Sequence, residues 1–179
     1  MSDTERTGET ILVTDDEKNI RRTLSLVLGG AGYRVLEAEH GQEALERAAE
    51  EECHLVLMDL KMPVMGGLEA LERLKKDRPQ LPVVVVSGQA TFSDAVQATR
   101  MGAYDFVEKP LEKERVLLSV RLALESSRLR RENIDLKAQL GEPARMVGSS
   151  QVIEALREAI GRAAPSKGRI LIVGESGTG

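Results

Sequence analysis

Four apolar stretches of the chain end in side chains that handle charge. Asp15-Asp16 follows TILVT, Asp59 follows LVLM, Ser87 follows VVVV, and Lys109 follows YDFVE. Carboxylates crowded together repel one another unless a cation joins them. Oxygen ligands of this kind suit Mg²⁺, which takes one or two protein carboxylates directly and keeps several waters. A lysine adds a mobile point charge and a serine a hydroxyl donor. Gathered in one place, the set makes a cradle for a phosphoryl group. Each residue alone has an ordinary reading: Asp15 or Asp16 as a helix cap, Asp59 as a turn residue before Met62-Pro63, Ser87 as a turn hydroxyl, Lys109 as a solvated charge. It is their conjunction at the ends of four runs that points to a shared site.

The elements that must hold them alternate. Thr10–Thr14, Tyr33–Ala38, His54–Met58, Pro82–Val86 and Tyr104–Glu108 read as strands, and four consecutive valines are too β-branched for a comfortable helix. Between them, Ile20, Leu24, Val27 and Leu28 recur at helical spacing until Gly29-Gly30 and Gly32, which should stop that helix. Gly41–Glu51, a helix with Leu68, Leu71 and Leu74 on one face, and Phe92–Met101 follow. Strand–helix alternation with short turns predicts a parallel sheet covered by helices on both faces. In such sheets ligands gather at the carboxyl ends of the strands, where the charged residues fall.

Composition narrows the class. The 179 residues are 41% hydrophobic and 30% charged, which supports a packed core and argues against wholesale disorder. The single cysteine, Cys53, excludes an internal disulfide, and no Cys/His cluster suits zinc, so a reducing, cytoplasmic setting is expected. No apolar run reaches the ~18 residues of a membrane span, and the polar N-terminus does not resemble a signal peptide. Aromatic residues are only 2%, a poor basis for stacking nucleic-acid bases. Charge is uneven: residues 1–111 hold 20 acidic and 13 basic residues, whereas residues 112–179 hold 9 and 12. The acidic front is a poor match to DNA phosphates, and the shift marks a change of domain.

Beyond Leu111 the pattern becomes helical. Leu122, Leu129 and Leu136 stand seven apart, and no Gly or Pro lies between Pro110 and Gly141. With the leucines at heptad position d, Ser119, Ser126, Asn133 and Leu140 occupy a, a short coiled coil with mostly polar a positions. A surface helix alone would explain Val116, Leu117 and Val120 but not the later leucines. After a further helix around Val152–Ile160, Arg169–Val173 reads as a strand running into Gly174-Glu175-Ser176-Gly177-Thr178-Gly179. A strand followed by G-x-x-x-x-G opens a phosphate-binding P-loop, whose lysine would come next.

Residues 10–125 resemble the receiver domain of two-component response regulators, through ILVTDDE, LVLMDLKMPVMGG, VVVVSG and GAYDFVEKP. The resemblance implies an α/β, doubly wound, flavodoxin-like fold with a five-stranded parallel sheet. It implies that Asp59 accepts a phosphoryl group from a sensor histidine kinase. Asp15 and Asp16 would bind Mg²⁺ together with Asp59 and the backbone carbonyl of Lys61. Ser87 and Lys109 would contact the phosphoryl oxygens, with Lys109-Pro110 cis. Ser87 and Phe106 would form the switch, at an aromatic position that is commonly Tyr in the family.

Residues 146–179 resemble the start of the AAA+ ATPase domain of NtrC-type, sigma-54-dependent activators, ending inside the Walker A motif with Gly174 and Gly179 in the truncated loop. The implied organisation is a receiver over 10–125, a coiled-coil linker over 112–140 continuous with its last helix, and an ATPase fragment over 146–179. Dimerisation is expected through Leu122, Leu129, Asn133 and Leu136, with phosphorylation controlling dimer packing and hence ATPase assembly. ATP, sigma-54 RNA polymerase and DNA are expected to engage only the full-length protein, and no membrane is involved. The chain itself is expected not to be an enzyme beyond self-catalysed phosphoryl transfer and autodephosphorylation. The alternatives are a phosphorylation-independent interaction module, an active P-loop ATPase, and a flavodoxin-like flavin binder whose phosphate the carboxylates would repel.

Overall fold

The computed structural model describes residues 8–88, 91–139 and 150–163. Five strands, β1 (Thr10–Thr14), β2 (Arg34–Ala38), β3 (Leu55–Asp59), β4 (Val83–Ser87) and β5 (Asp105–Glu108), form one sheet in the order β2-β1-β3-β4-β5. All four pairings are parallel. β1, β3 and β4 are buried along their whole length, which is why they read as unbroken apolar runs. The edge strands β2 and β5 are only partly covered.

Successive side chains of the central strands enter opposite cores. Leu12, Val56, Met58, Val83 and Val85 pack against α2 (Gly41–Glu50), α3 (Gly67–Asp77) and α4 (Phe92–Arg100), through residues such as Ala44, Leu71 and Ala98. On the other face Ile11, Val13, Leu57, Val84 and Val86 meet α1 (Lys18–Gly30) and the first half of α5 (Lys113–Gln139). The period-2 pleat of the strands sets this division.

Helix α1 ends at Gly30, within the Gly29-Gly30 and Gly32 cluster expected to stop it. The turn itself is made at Gly32, with φ of 93°. Gly32 N–H donates to the Gly29 carbonyl at 3.1 Å and Tyr33 N–H to the Leu28 carbonyl at 3.2 Å, a Schellman closure. A glycine stops a helix by taking a left-handed conformation just past its end, and of these three glycines Gly32 does so.

The chain divides into two units, 1–133 and 134–179. In the first, α5 buries Val116, Val120, Ala123 and Leu124 and is exposed from Arg128 through Asn133. In the second, α6 (Gln151–Ala163) carries Val152, Leu156 and Ile160 at four-residue spacing on one exposed stripe. The expected strand Arg169–Val173, together with Leu140, Gly174 and Gly179, lies outside the described residues. Among the described residues, no helix is long and apolar enough to cross a membrane.

Candidate functional site

The sheet order brings the carboxyl ends of β1, β3, β4 and β5 side by side, and β1 is where the order reverses toward β2. Asp15 directly follows β1, Asp59 closes β3, Ser87 closes β4, and Lys109 directly follows β5. Lys109 unites them. Its Nζ lies 2.8 Å from Asp15 Oδ2 and 3.2 Å from Asp59 Oδ1, with Glu17 Oε1 farther off at 3.9 Å. The other carboxylate oxygens face backbone donors. Glu17 N–H donates to Asp15 Oδ1 at 2.9 Å, and Lys61 N–H donates to Asp59 Oδ2 at 2.7 Å.

Both carboxylates are buried, at 1% and 5% exposure, so one ammonium and two amides stand in for the water they have lost. Burial pushes the Asp59 carboxyl above its ordinary range, with the nearby Asp15 charge adding to the rise; the Lys109 ammonium and the Lys61 amide pull the other way without cancelling it. Burial works against the Lys109 charge too, but hydrogen bonds and charges from Asp15 and Asp59 prevail and hold its pKa above the usual lysine value. Lys109 is thus fixed as a cation. Asp59 is less comfortable as an anion than an exposed carboxylate would be.

Ser87 is buried at 2%, and its carbonyl accepts from Lys109 N–H at 3.0 Å, which ties the lysine's backbone to the end of β4. The Lys109-Pro110 bond is cis. Phe106 is half-buried against the core on the α2–α4 face. Asp16 departs from the cluster: it is exposed beside the buried Asp15, as neighbouring residues of an extended chain point to opposite sides. Among the described residues, no three acidic, histidine or cysteine side chains already stand in one metal-holding group. The groups expected to hold a cation, the Asp16 carboxylate, the Asp59 carboxylate and the Lys61 carbonyl, are all oxygen donors. That set fits Mg²⁺ chemistry and not a nitrogen- or sulfur-seeking metal.

Leu122, Leu129 and Leu136 are 43%, 55% and 58% exposed, and Asn133 is exposed as well. Sequence reasoning missed Arg21. It sits at the core-facing spacing of α1 with Leu24 and Leu28, yet is charged and only 4% exposed. A lone arginine on the apolar face of a helix was the available signal.

The response regulator receiver domain model matches residues 11–121. The nitrogen assimilation regulatory protein NtrX of Azorhizobium caulinodans is 42% identical over 171 residues, covering 94% of this chain and 37% of that protein. The transcriptional regulatory protein ZraR of Klebsiella oxytoca is 39% identical over 171 residues, with 94% and 38% covered. The chain therefore spans little more than a third of these relatives' length. A crystal structure of NtrX from Brucella abortus superposes with a TM-score of 0.77 at 38% identity, covering 92% of this chain and 36% of that one. A CheY-like receiver from Methanospirillum hungatei gives 0.67 at 29% identity, covering 69% and 99%. Matched by the domain model over the sheet and most of its helices, and by these relatives over nearly its whole length, the chain belongs to the response regulators, with a receiver domain of the NtrC type.

Proposed function

We propose that Asp59 is a phospho-acceptor serving a sensor histidine kinase. The observation that carries this is the buried Asp59 carboxylate held beside Asp15 on the one ammonium of Lys109. An Asp59 oxygen attacks the phosphorus of a phosphohistidine, the P–N bond breaks, the imidazole leaves and takes up a proton, and an acyl phosphate remains. Lys109 stands where charge accumulates on the transferring group, and its fixed position limits reorganisation during transfer. Ser87, at the neighbouring strand end, offers its hydroxyl to a phosphoryl oxygen. A Mg²⁺ held by Asp16, Asp59 and the Lys61 carbonyl, with Asp15 ordering its waters, would supply further neutralisation of the phosphoryl oxygens. Hydrolysis of the acyl phosphate by water returns the carboxylate.

Adding a dianionic group next to Lys109 changes what Ser87 and Phe106 face, and the β4–β5 side of the domain is the surface that responds. The response passes to a homodimer formed through α5, with Leu122, Leu129 and Leu136 at d and Asn133 at a. In the longer protein, dimer packing governs ATPase assembly and so sigma-54-dependent transcription in the cytoplasm. The NtrX of Brucella abortus has been crystallised with ADP and with ATP. Gly174 and Gly179 would belong to the corresponding nucleotide loop.

The test is intact mass before and after a small acyl phosphate with Mg²⁺. Wild type gains one phosphoryl group and Asp59→Asn gains none, because an amide is a poor nucleophile. A gain that survives in Asp59→Asn refutes the assignment.

A further inference from the structure

Arg21 is the buried cation that the phosphoryl chemistry leaves unused. It stands on α1, 4% exposed, and turns its guanidinium toward the loop that carries the acidic pair. Nη1 donates to the Asp15 carbonyl at 2.8 Å and to the Asp16 carbonyl at 3.2 Å. Nη2 donates to Glu39 Oε1, just beyond the end of β2. Nε has no hydrogen-bond partner and only an ion-pair approach of 3.5 Å to Glu37. The two loop carbonyls thus grip Nη1, the largely exposed Glu39 meets Nη2 from outside, and Nε is left over.

We infer that Arg21 is a positioning residue for the cation site of Asp16 and Asp59, an inference that rests on the phospho-acceptor reading above. Two consecutive carbonyls on one nitrogen fix the two peptide planes that follow β1. Those planes decide where the neighbouring side chains go. Asp15 is turned inward, where Glu17 N–H and Lys109 Nζ hold its two oxygens. Asp16 is left outward and exposed, and no hydrogen bond to a described residue steadies its carboxylate. Its direction therefore depends on the backbone, and the backbone depends on Arg21. The guanidinium also occupies the Asp15 and Asp16 carbonyls, which leaves the Asp16 carboxylate as that residue's free oxygen donor for a hard cation. Only a planar, multi-donor head can span both carbonyls and Glu39 at once. A lysine offers a point charge on a flexible stem.

The experiment is calorimetric titration of the full chain with Mg²⁺ alone, with thermal midpoints recorded for every variant. Arg21→Lys retains charge and stem but loses the two-carbonyl grip. It should bind Mg²⁺ roughly tenfold more weakly, the lower end of what loss of a supporting hydrogen bond costs a metal site. Glu39→Gln weakens the ion pair behind Arg21 without touching the loop, and should stay within about twofold of wild type. Equal affinity for Arg21→Lys and wild type overturns the inference, as does an equal loss in Glu39→Gln. A measurement on wild type stands apart from any variant. The Arg21 guanidinium NMR signals should remain locked when Mg²⁺ saturates, and free rotation of that group overturns the inference even if Arg21→Lys fails to fold. The two readings fail differently. A wild type that takes up neither Mg²⁺ nor phosphoryl removes both. A wild type that takes up both, alongside an unaffected Arg21→Lys, removes only the role of Arg21.

Discussion

Gly67→Ala should cost far more than the same change one residue earlier. Gly67 is the first residue of α3, and its N–H donates to the Leu60 carbonyl at 2.9 Å. Its α-carbon faces the backbone of Asp59 and Leu60. A β-carbon there would lie inside the van der Waals envelope of the Asp59 carbonyl oxygen, 2.8 Å from Leu60 Cα and 2.9 Å from the Asp59 carbonyl carbon. Non-bonded carbons sit comfortably at ~3.5–4.0 Å, so a shift of at least about 0.7 Å is required at Leu60 Cα alone, and the closer carbonyl oxygen demands more. The obstacle is main chain, paired through Asp59 to Val86 of β4, and it cannot swing aside as a side chain can. Overpacking costs ~1–3 kcal/mol where side chains absorb it, and a rigid backbone puts this site at about 3 kcal/mol. In a domain of this size 1 kcal/mol moves the melting midpoint by roughly 3–5 °C, so the loss should be about 10 °C. At Gly66 the added carbon meets only the Leu60 carbonyl oxygen at 3.4 Å, an ordinary contact. Gly66→Ala should lose no more than ~1 kcal/mol, the cost of an inferior helix cap. Thermal unfolding followed by circular dichroism compares the two, and phosphodonor uptake by mass shows whether the displaced Asp59 still reacts. If the two variants melt together, the close packing of α3 on the strand end is wrong.

The other expectations rest on separate features. Val64 is 81% exposed with φ of 67°, at the centre of a tight turn in which Met65 N–H donates to the Pro63 carbonyl at 2.7 Å; Val64→Asn should raise stability by about 1 kcal/mol in urea denaturation, since a β-branched residue is strained there and no packing is lost. Changing Leu122, Leu129 and Leu136 together to Ser should abolish dimerisation in sedimentation while costing the folded domain only ~1 kcal/mol or less of helix propensity; a variant that dimerises as tightly as wild type rules out the α5 interface. Asp59 has a folded pKa above its unfolded value, so its contribution favours folding below about pH 4 and is lost as pH rises through the folded pKa. Asp59→Asn, which cannot ionise, should therefore gain stability on wild type between acid and neutral pH, and a gap that narrows with rising pH would contradict the burial argument.

Legibility followed burial. β1, β3 and β4 were plain because both of their faces are covered, and a doubly covered strand must be apolar throughout. The end of α1 was legible in its cluster of glycines, but not which of the three takes the positive φ. The charged set at four strand ends was readable, since parallel strands put their carboxyl ends on one side. How the set divides was not. That Lys109 holds Asp15 and Asp59 while Asp16 faces outward depends on the loop after β1, and that loop is held by Arg21, whose partners are backbone carbonyls without a sequence signature.

Helix α5 changes character along its length. From Val116 to Ser127 one face is packed against the domain, whereas from Arg128 through Lys137 every residue is exposed. The Arg128–Glu132 pair is an i,i+4 contact at 3.4 Å, worth ~0.3–0.5 kcal/mol. Helices of fewer than ~12–15 residues are marginal in water without packing, so the outer turns borrow their order from the inner ones. Amide protons of Val120 and Ala123 should exchange only through global opening, while those beyond Arg128 exchange through fraying. The chain then does not unfold as one cooperative unit: backbone ellipticity will begin to fall before any probe of the sheet responds, by an amount that depends on protein concentration if a second copy covers the exposed leucines.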